Sequence, residues 1–405
     1  MKALKLLIAP LILSSVNIFA QDSNLDEYIS KNKQEYFLLE EQKVDSSSDV
    51  LRDSWISPVM LNYSYGISEA YNAQSITKKT SISIDQPIFQ SGGIYYGIKY
   101  AEANRIYSKY SVDVAKRKVI KDAISLLMQI KQSDIRAQKQ NYMIKNAEID
   151  LAQKKEAYLN GQLDSGFLNS AIIDRNIVIQ ALYDIEANKE KLVSKLRAIS
   201  DADHKSVTLP HLKLIDEDEF LKNNIVYKQS KSFSEKARYS KNTTITQYLP
   251  KLSIYAGYNW DETENLNFGG TLAGDKKTDY ATYGFKASMP LNINALDDIE
   301  TSRVEYLESK IVEADKKREL KAIFEQVMQN IENFEKKKLL SVENKDLYAT
   351  LLDETKTLYE AGYKTEYDVE MMQNSLEVQK MDIEIYEIDK ELELLTLYEM
   401  YVNEI

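Results

Sequence analysis

Around Gly362 the chain carries two long stretches in which apolar residues recur at alternating steps of three and four. Leu320, Ile323, Val327, Ile331 and Phe334 precede it, and Val369, Met372, Leu376, Ile383 and Tyr386 follow it. That spacing predicts two amphipathic helices. The glycine between them predicts a reversal, because a residue without a Cβ closes a helix in the left-handed conformation at little cost. Gly161, in AYLNGQLDSGFLNS, predicts a second reversal of the same kind.

From the N-terminal end, Ser23 and Asp26 have capping-box spacing. The helix they open shows the stripe Leu25, Tyr28, Ile29, Tyr36 and Leu39 and is expected to close near Val44, before Ser46, Ser47 and Ser48. Beyond Pro58 the period changes to two. Val59, Leu61, Tyr63, Tyr65 and Ile67 alternate with small or polar residues, and after a polar loop of about ten residues Ile82, Ile84 and Ile88 do the same, so a β-hairpin is predicted over 58–89. Pro87, Gly92 and Gly93 mark a hinge from strand into helix. A continuous helix from Gly93 to Tyr158 would be about 100 Å long at 1.5 Å per residue. A return helix is expected over 167–199.

The same order then begins again. After a connector over 201–214, a helix is expected from Asp216 to about Thr246, then Pro250, a strand with Leu252, Ile254, Ala256, Tyr258 and Trp260 on one face, and a charged, glycine-bearing loop over 261–278. A fourth strand carries Tyr283, Phe285, Ala287, Met289 and Leu291; Pro290 closes this hairpin, assigned to 250–292, and a second rod follows from about Ala295 to Tyr359. Pro58 and Pro250, Pro87 and Pro290, and Gly161 and Gly362 pair at offsets of 192, 203 and 201 residues. The chain therefore reads as a duplicated helix, hairpin, long helix, turn, helix module, spanning 21–200 and 215–405.

Composition narrows what such a duplication can do. Lys2 and Lys5 before an apolar run ending at Ala20 read as a secretory signal peptide over 1–20. Without cysteine there is no disulfide, no thiolate metal site and no lipid-anchored cysteine. A net charge of -11 argues against nucleic acid, whose phosphates need a basic face. The two histidines, His204 and His211, fall in the polar connector and read as surface residues. No phosphate-binding glycine loop, nucleophile elbow or histidine metal spacing occurs, so neither an enzyme nor a cofactor is expected. The acidic runs Glu313 to Glu319 and Glu384 to Glu393 read as solvated helix faces.

Four strands with one apolar face fit either a soluble sheet or part of an outer-membrane barrel. The leader and the aromatic residues near the loop ends, Tyr65, Tyr71, Tyr258, Trp260, Tyr280 and Tyr283, favour the barrel. Four strands cannot close one, and an open edge in lipid leaves backbone groups unpaired. Membrane insertion therefore requires an oligomer that shares strands. The alternative is a secreted or periplasmic coiled-coil structural or adhesion protein without a pore.

The duplicated hairpin modules, with SISIDQPIFQSGG before the first rod, QYLPKLSIYAGYNW opening the second hairpin and LYEAGYKTEYDVEMMQNSLEVQ at the second reversal, resemble the TolC-like outer membrane efflux protein family. The resemblance implies an α+β membrane protein, a homotrimer with a 12-stranded β-barrel in outer-membrane lipid continuous with a 12-helix periplasmic α-barrel. It further implies an exit duct for efflux or type I secretion that docks on a periplasmic adaptor (membrane fusion) protein and an inner-membrane transporter of the RND, ABC or MFS type.

The same resemblance assigns residues. Gly161 and Gly362 would form the tip turns that meet the adaptor. Asp368 matches a lumen-facing aspartate, three copies of which would make an acidic ring with mutually raised pKa values; the other reading of Asp368 is a helix cap. Tyr359 and Lys364 match donors that hold the closed gate, whereas their facing positions are Gly166 and Phe167, so Asp164 is the expected substitute acceptor. Met371 stands where some members place a second acidic ring, which implies an apolar constriction.

Overall fold

The computed structural model describes residues 25–70, 73–267 and 276–402. The predicted leader, the Ser23 cap and Tyr71 lie outside the described residues. After a single 3-10 turn at Asp26–Tyr28 come α1 (Lys31–Arg52), β1 (Met60–Ala70), β2 (Ala73–Phe89), α2 (Gly93–Leu159) and α3 (Ser165–Arg197). The second half supplies α4 (Glu217–Lys222), α5 (Ile225–Gln247), β3 (Lys251–Asn267), β4 (Lys276–Ser288), α6 (Ala295–Glu360) and α7 (Glu366–Met400). These fall into two compact units, each drawing on both halves of the sequence. One gathers Val119–His211, Lys337–Leu392 and the chain up to Glu35; the other holds the strands, α4, α5, most of α1 and the adjoining parts of the long helices.

The strands form one antiparallel sheet in the order β1-β2-β3-β4. The two hairpins are joined by the β2–β3 ladder, which runs from Ala73 opposite Asn267 to Phe89 opposite Leu252. Both of these strands extend into stretches expected to be loops. β2 begins at Ala73, so only Tyr71 and Asn72 separate it from β1, and β3 continues to Asn267. The reason is cross-strand charge. Lys78 and Lys79 lie opposite Glu262 and Asp261, and Glu262 lies opposite Lys277; Lys78 Nζ reaches Glu264 at 2.6 Å and Lys277 Nζ reaches Glu262 at 2.9 Å. Opposite charges facing one another stabilise a pair of strands that apolar alternation alone does not reveal.

Register assigns the faces. One face carries Leu61, Ile82, Tyr258 and Ala281 in one row, Ile84, Ala256 and Tyr283 in the next, and Ile254 with Phe285 beyond. The opposite face carries Asn62, Ser81, Asn259 and Tyr280, then Ser64, Lys79, Asp261 and Thr278. No helix covers much of the apolar face: Leu61, Tyr63, Tyr65, Ile82, Ile254, Trp260, Tyr283 and Phe285 are all exposed. Between Leu252 and Trp260 the band is about 27 Å long measured along β3, at about 3.3 Å per residue.

Where β2 turns into α2 the backbone bends sharply. Pro87 lies inside β2, beside an irregular register step to Phe89, and Pro250 directly precedes β3. Ser91 and Gly92 then adopt positive φ, 49° and 89°, and the Ser91 hydroxyl donates to the Pro250 carbonyl at 2.6 Å, tying this hinge to the start of the second hairpin. Gly93 has no such φ; it is small because a Cβ there would lie 3.1 Å from Gln90. The equivalent junction after Pro290 uses no glycine: Asn292 accepts from the Asn294 amide at 3.0 Å, and Leu291 and Ile293 are 91% and 94% exposed.

Two helices depart from expectation. α1 continues through Ser46, Ser47 and Ser48 to Arg52, because Ser47 returns its hydroxyl to the Val44 carbonyl and Asp45 is held by Arg105 and Lys109 at 2.7 and 2.9 Å. The helix expected over 216–246 is broken at Asn223–Asn224. Asn224 caps α5 by accepting from Tyr227 N and bridges in β fashion to Tyr401, whose hydroxyl bonds Glu219. Around this break Phe220, Leu320, Phe324, Leu394 and Leu397 form the core of the strand-bearing unit.

Backbone conformation gives two substitutions of opposite sign. Gly92→Ala forces a Cβ into left-handed backbone and should cost about 1–2 kcal/mol. Gly97→Ala lies inside α2 with open space around it and should stabilise by about 0.5–1 kcal/mol. Thermal unfolding of the two variants beside the parent checks both signs.

Candidate functional site

The two helix reversals share one construction. α2 ends at Leu159 and α6 at Glu360. Gly161 and Gly362 then adopt φ values of 72° and 79°. Gln162 N donates to Ala157 O and Gly161 N to Tyr158 O, at 2.8 and 3.0 Å; Tyr363 N donates to Leu358 O and Gly362 N to Tyr359 O, at 2.8 and 2.9 Å. This pair of bonds is the Schellman motif, which satisfies carbonyls the helix end leaves over. No atom lies within 4 Å of a Cβ built on either glycine, so the turns are open on that side. Large apolar side chains surround them: Leu159, Phe167, Leu358, Tyr359 and Tyr363 are exposed, Tyr363 to 81%.

Three residues past each glycine the next helix is capped. Asp164 caps α3, its carboxylate accepting from Gly166 N at 2.7 Å. Gly166 leaves room for that contact, since a Cβ there would lie 2.9 Å from the Asp164 oxygen and the carboxylate would have to shift. Thr365 caps α7 reciprocally with Asp368: Asp368 Oδ2 accepts from both Thr365 N and Thr365 Oγ1 at 2.9 Å, and Asp368 N donates back to Thr365 Oγ1 at 3.3 Å. Asp368 is therefore a capping-box acid. The Thr365 amide, assisted by its hydroxyl and by Lys364, holds the Asp368 carboxyl below the usual range. The rise expected from neighbouring carboxylates in a ring needs other copies, which a single chain does not contain. Lys364 Nζ lies 3.9 Å from Asp368. Asp164 is spent on its own cap, and among the described residues nothing bonds it to Tyr359 or Lys364. Met371 is half-buried and its carbonyl accepts from Ser375.

What positions these turns is a polar seam between α2 and α7. Gln132 donates to Asp389 at 2.6 Å, Lys139 to Asp382 at 2.5 Å, and Asn146 meets Ser375 at 3.3 Å while accepting from Asn374 at 2.9 Å. The α2 members are seven residues apart and so are Ser375, Asp382 and Asp389, running in opposite directions. Met128, Ile135 and Ile149 are buried in the same α2 frame. This is an antiparallel heptad interface with polar residues at one core position. Such residues lower stability and fix register. Asp368 and Met371 fall in the continuation of the α7 frame. Gln132 and Asn374 are 6% and 5% exposed, so both are committed to the seam.

The seam was readable as spacing but was missed because Glu384 to Glu393 looked like a solvated face. In fact Glu387 pairs with Lys338 at 2.9 Å, Glu391 with His211 at 2.9 Å and Glu393 with Asn330 at 3.2 Å. On the other flank Gln140 donates to the Val178 carbonyl and Lys189 pairs with Asp134. Contacts thus run from α3 to α2, α2 to α7 and α7 to α6. Ile173 and Ile177 on α3, and Leu339, Leu340 and Leu347 on α6, are left exposed.

Neither a family model nor a curated relative matches this chain, but solved structures do. The outer membrane protein VceC of Vibrio cholerae superposes with a TM-score of 0.73 at 11% identity, over 94% of this chain and 96% of that one. The CmeC outer membrane channel of Campylobacter jejuni gives 0.70 at 12% identity, covering 93% and 84%. The chain has the TolC-like outer-membrane channel fold. The MtrE outer membrane channel of Neisseria gonorrhoeae, in its open state, superposes at 0.63 with 10% identity over 93% and 87%. At these identities the TolC-like fold persists without shared local sequence, so the residues at the reversals must be read from their own contacts.

Two measurements test that reading. Lys139→Ala leaves Asp382, a mostly buried acid, without its partner and should destabilise by about 1–3 kcal/mol, whereas Lys139→Leu with Asp382→Leu should be neutral or stabilising; thermal unfolding of the set separates the outcomes. Because the Asp368 carboxyl titrates below its unfolded value, its cap is complete above about pH 4 and is lost only as pH falls through the lower folded value. Amide-exchange protection at the start of α7 should therefore be equal at pH 7 and pH 5, and weaker at both in Asp368→Asn.

Proposed function

We propose that this chain is one protomer of an outer-membrane channel, the passive exit duct of a tripartite efflux or type I secretion system. The observation that carries the reading is the sheet: four antiparallel strands with an uncovered apolar face, a polar opposite face and two unpaired edges, β1 and β4. In lipid those edges must be paired. Because the strands alternate in direction, β4 of one copy is antiparallel to β1 of the next, and three copies supply twelve strands. The helical flanks support the same closure. Exposed apolar positions on α3 and α6 offer each copy a partner face, and four long helices from each of three copies make a twelve-helix tunnel. Among the described residues no helix is long and apolar enough to cross a membrane, so the sheet is what enters lipid. Its apolar band is bounded at the loop side by the Lys78, Glu262, Glu264 and Lys277 cluster, and its length suits strands tilted in an outer membrane.

In this reading the reversals at Gly161 and Gly362 lie at the periplasmic mouth, where exposed aromatic and leucine side chains around open turns are a docking surface for a periplasmic adaptor. The adaptor couples the duct to an inner-membrane transporter, which supplies the energy. Gating is at the same end. Asp368 stays ionised at neutral pH while capping α7, and three copies around an axis favour cations in a narrow pore, with Met371 as an apolar narrowing beside them. Tyr359 and Lys364 then hold the mouth through contacts between copies, since Asp164 does not receive them within one chain.

The absence of cysteine makes the closure directly testable. Within one chain β1 and β4 are three strand spacings apart, about 14 Å, beyond disulfide reach. Cysteines scanned over Asn62, Ser64 and Ser68 on β1 and over Thr278 and Thr282 on β4 should form oxidation-dependent dimers and trimers on denaturing gels. A protein that stays monomeric in every pairing, and forms no pore in planar bilayers, contradicts the channel and favours a coiled-coil structural protein. In the same bilayers Asp368→Asn should move the reversal potential in a salt gradient toward zero; an unchanged potential removes Asp368 from the gate.

A further inference from the structure

The connector between the two modules does more than join them. The connector, α2 and α3 together line an open cleft of about 580 Å³, with Leu127, Lys131 and Asp134 of α2, Lys189 of α3, and His204, Lys205, Val207, Thr208 and Leu209 of the connector. The volume is within the range of small-molecule sites. Leu127, Lys131 and Asp134 recur at steps of four and three, so one face of α2 forms the floor. The connector is fixed rather than draped: Tyr28 donates its hydroxyl to the Thr208 carbonyl at 3.0 Å, Ser30 N donates to Ile199 O at 3.0 Å, and Lys31 N to Asp201 at 3.0 Å.

The lining is divided by chemistry. Buried Leu127 and half-buried Val207 and Leu209 supply apolar surface. The polar part is basic, which is unusual in a chain of net charge -11. Lys189 pairs with Asp134 at 2.5 Å, while Lys131 and Lys205 are exposed and form no ion pair within 4 Å among the described residues; Asp134 lies on the same face of α2 as Lys131, and the Asp203 carboxylate accepts from the Lys205 amide. His204 is half-buried in this wall rather than a free surface residue, 3.8 Å from Asp203. Two ammonium groups without an ion-pair partner, beside the apolar surface of Leu127, Val207 and Leu209, attract a molecule with a negative head and an apolar body.

We propose that this cavity binds small organic anions, carboxylates or phosphates carried on an apolar or aromatic body. The head lies between Lys131 and Lys205, and the body rests on Leu127, Val207 and Leu209. Neither lysine belongs to the seam, the reversals or the sheet, so their substitution leaves those elements intact.

The test uses the full mature protein in nanodiscs of zwitterionic lipid and ligand-observed fluorine NMR. The probes are 4-(trifluoromethyl)benzoate, 4-(trifluoromethyl)phenyl phosphate and neutral 4-(trifluoromethyl)benzyl alcohol. Both anions should broaden with the parent protein and the alcohol should not, the two heads distinguishing a carboxylate from a phosphate ligand. Lys131→Glu with Lys205→Glu should weaken anion binding by at least about tenfold, and Val207→Asp, which leaves both lysines in place, should weaken it as well. Circular dichroism and thermal unfolding report whether the variants are folded. Broadening that is equal for the alcohol, or that survives the double substitution in folded protein, overturns the proposal whether or not the protein conducts.

Discussion

The structure depends first on the pairing of β2 with β3. These strands come from halves of the chain that are otherwise far apart in sequence, and among the described residues their ladder is where one hairpin becomes continuous with the other. It sets the face of every strand, since a slip of one residue would reverse which side chains point to which surface. It also determines what is left unfinished: with β2 and β3 in the middle, β1 and β4 become the edges, and an edge is an instruction to pair. The cross-strand charges at the loop end of this ladder add to the register set by the aliphatic rows nearer the helices.

The helical part follows a different rule. Long helices with ordinary aliphatic cores can slide, because one heptad of leucine and isoleucine resembles the next. Here the face between α2 and α7 places amide, ammonium, carboxylate and hydroxyl groups in the core frame. Each would be costly to bury unpaired, and each is paired. Stability is given up at these positions in return for a defined alignment, and the two glycine turns inherit their relative position from it.

Much of this was legible in the sequence. The long rods, the two reversals and the one-sided strands follow from period, proline and glycine, and the observed ends of α2 and α6 lie within a residue of those expected. The failures share a cause: local pattern cannot see a partner. Ala73 to Thr80 and Asp261 to Asn267 lack an apolar alternation and read as loops, yet each supplies the charges that pair the other. The serines at 46–48 looked like a helix stop because the anchoring of Asp45 by Arg105 and Lys109 is a tertiary fact. Asp216 to Thr246 looked continuous because the break at Asn224 exists to receive Tyr401 from the far end of the chain. At the reversals, sequence found Gly161, Gly362 and Asp368 and missed the role of Thr365, although the spacing of Thr365 and Asp368 is that of a capping box.

The three rungs of the seam differ from one another, and that difference works as a checksum. If α7 slipped one heptad along α2 in one direction, Lys139 would meet Ser375 and Asp389 would lose its amide. In the other direction Lys139 would meet Asp389 and Asn146 would meet Asp382, and Gln132 would leave Asp389. Either slip replaces the partner of every rung. A repeat made of identical rungs would hold two long rods together equally well and could not tell a correct assembly from one displaced by about 10 Å.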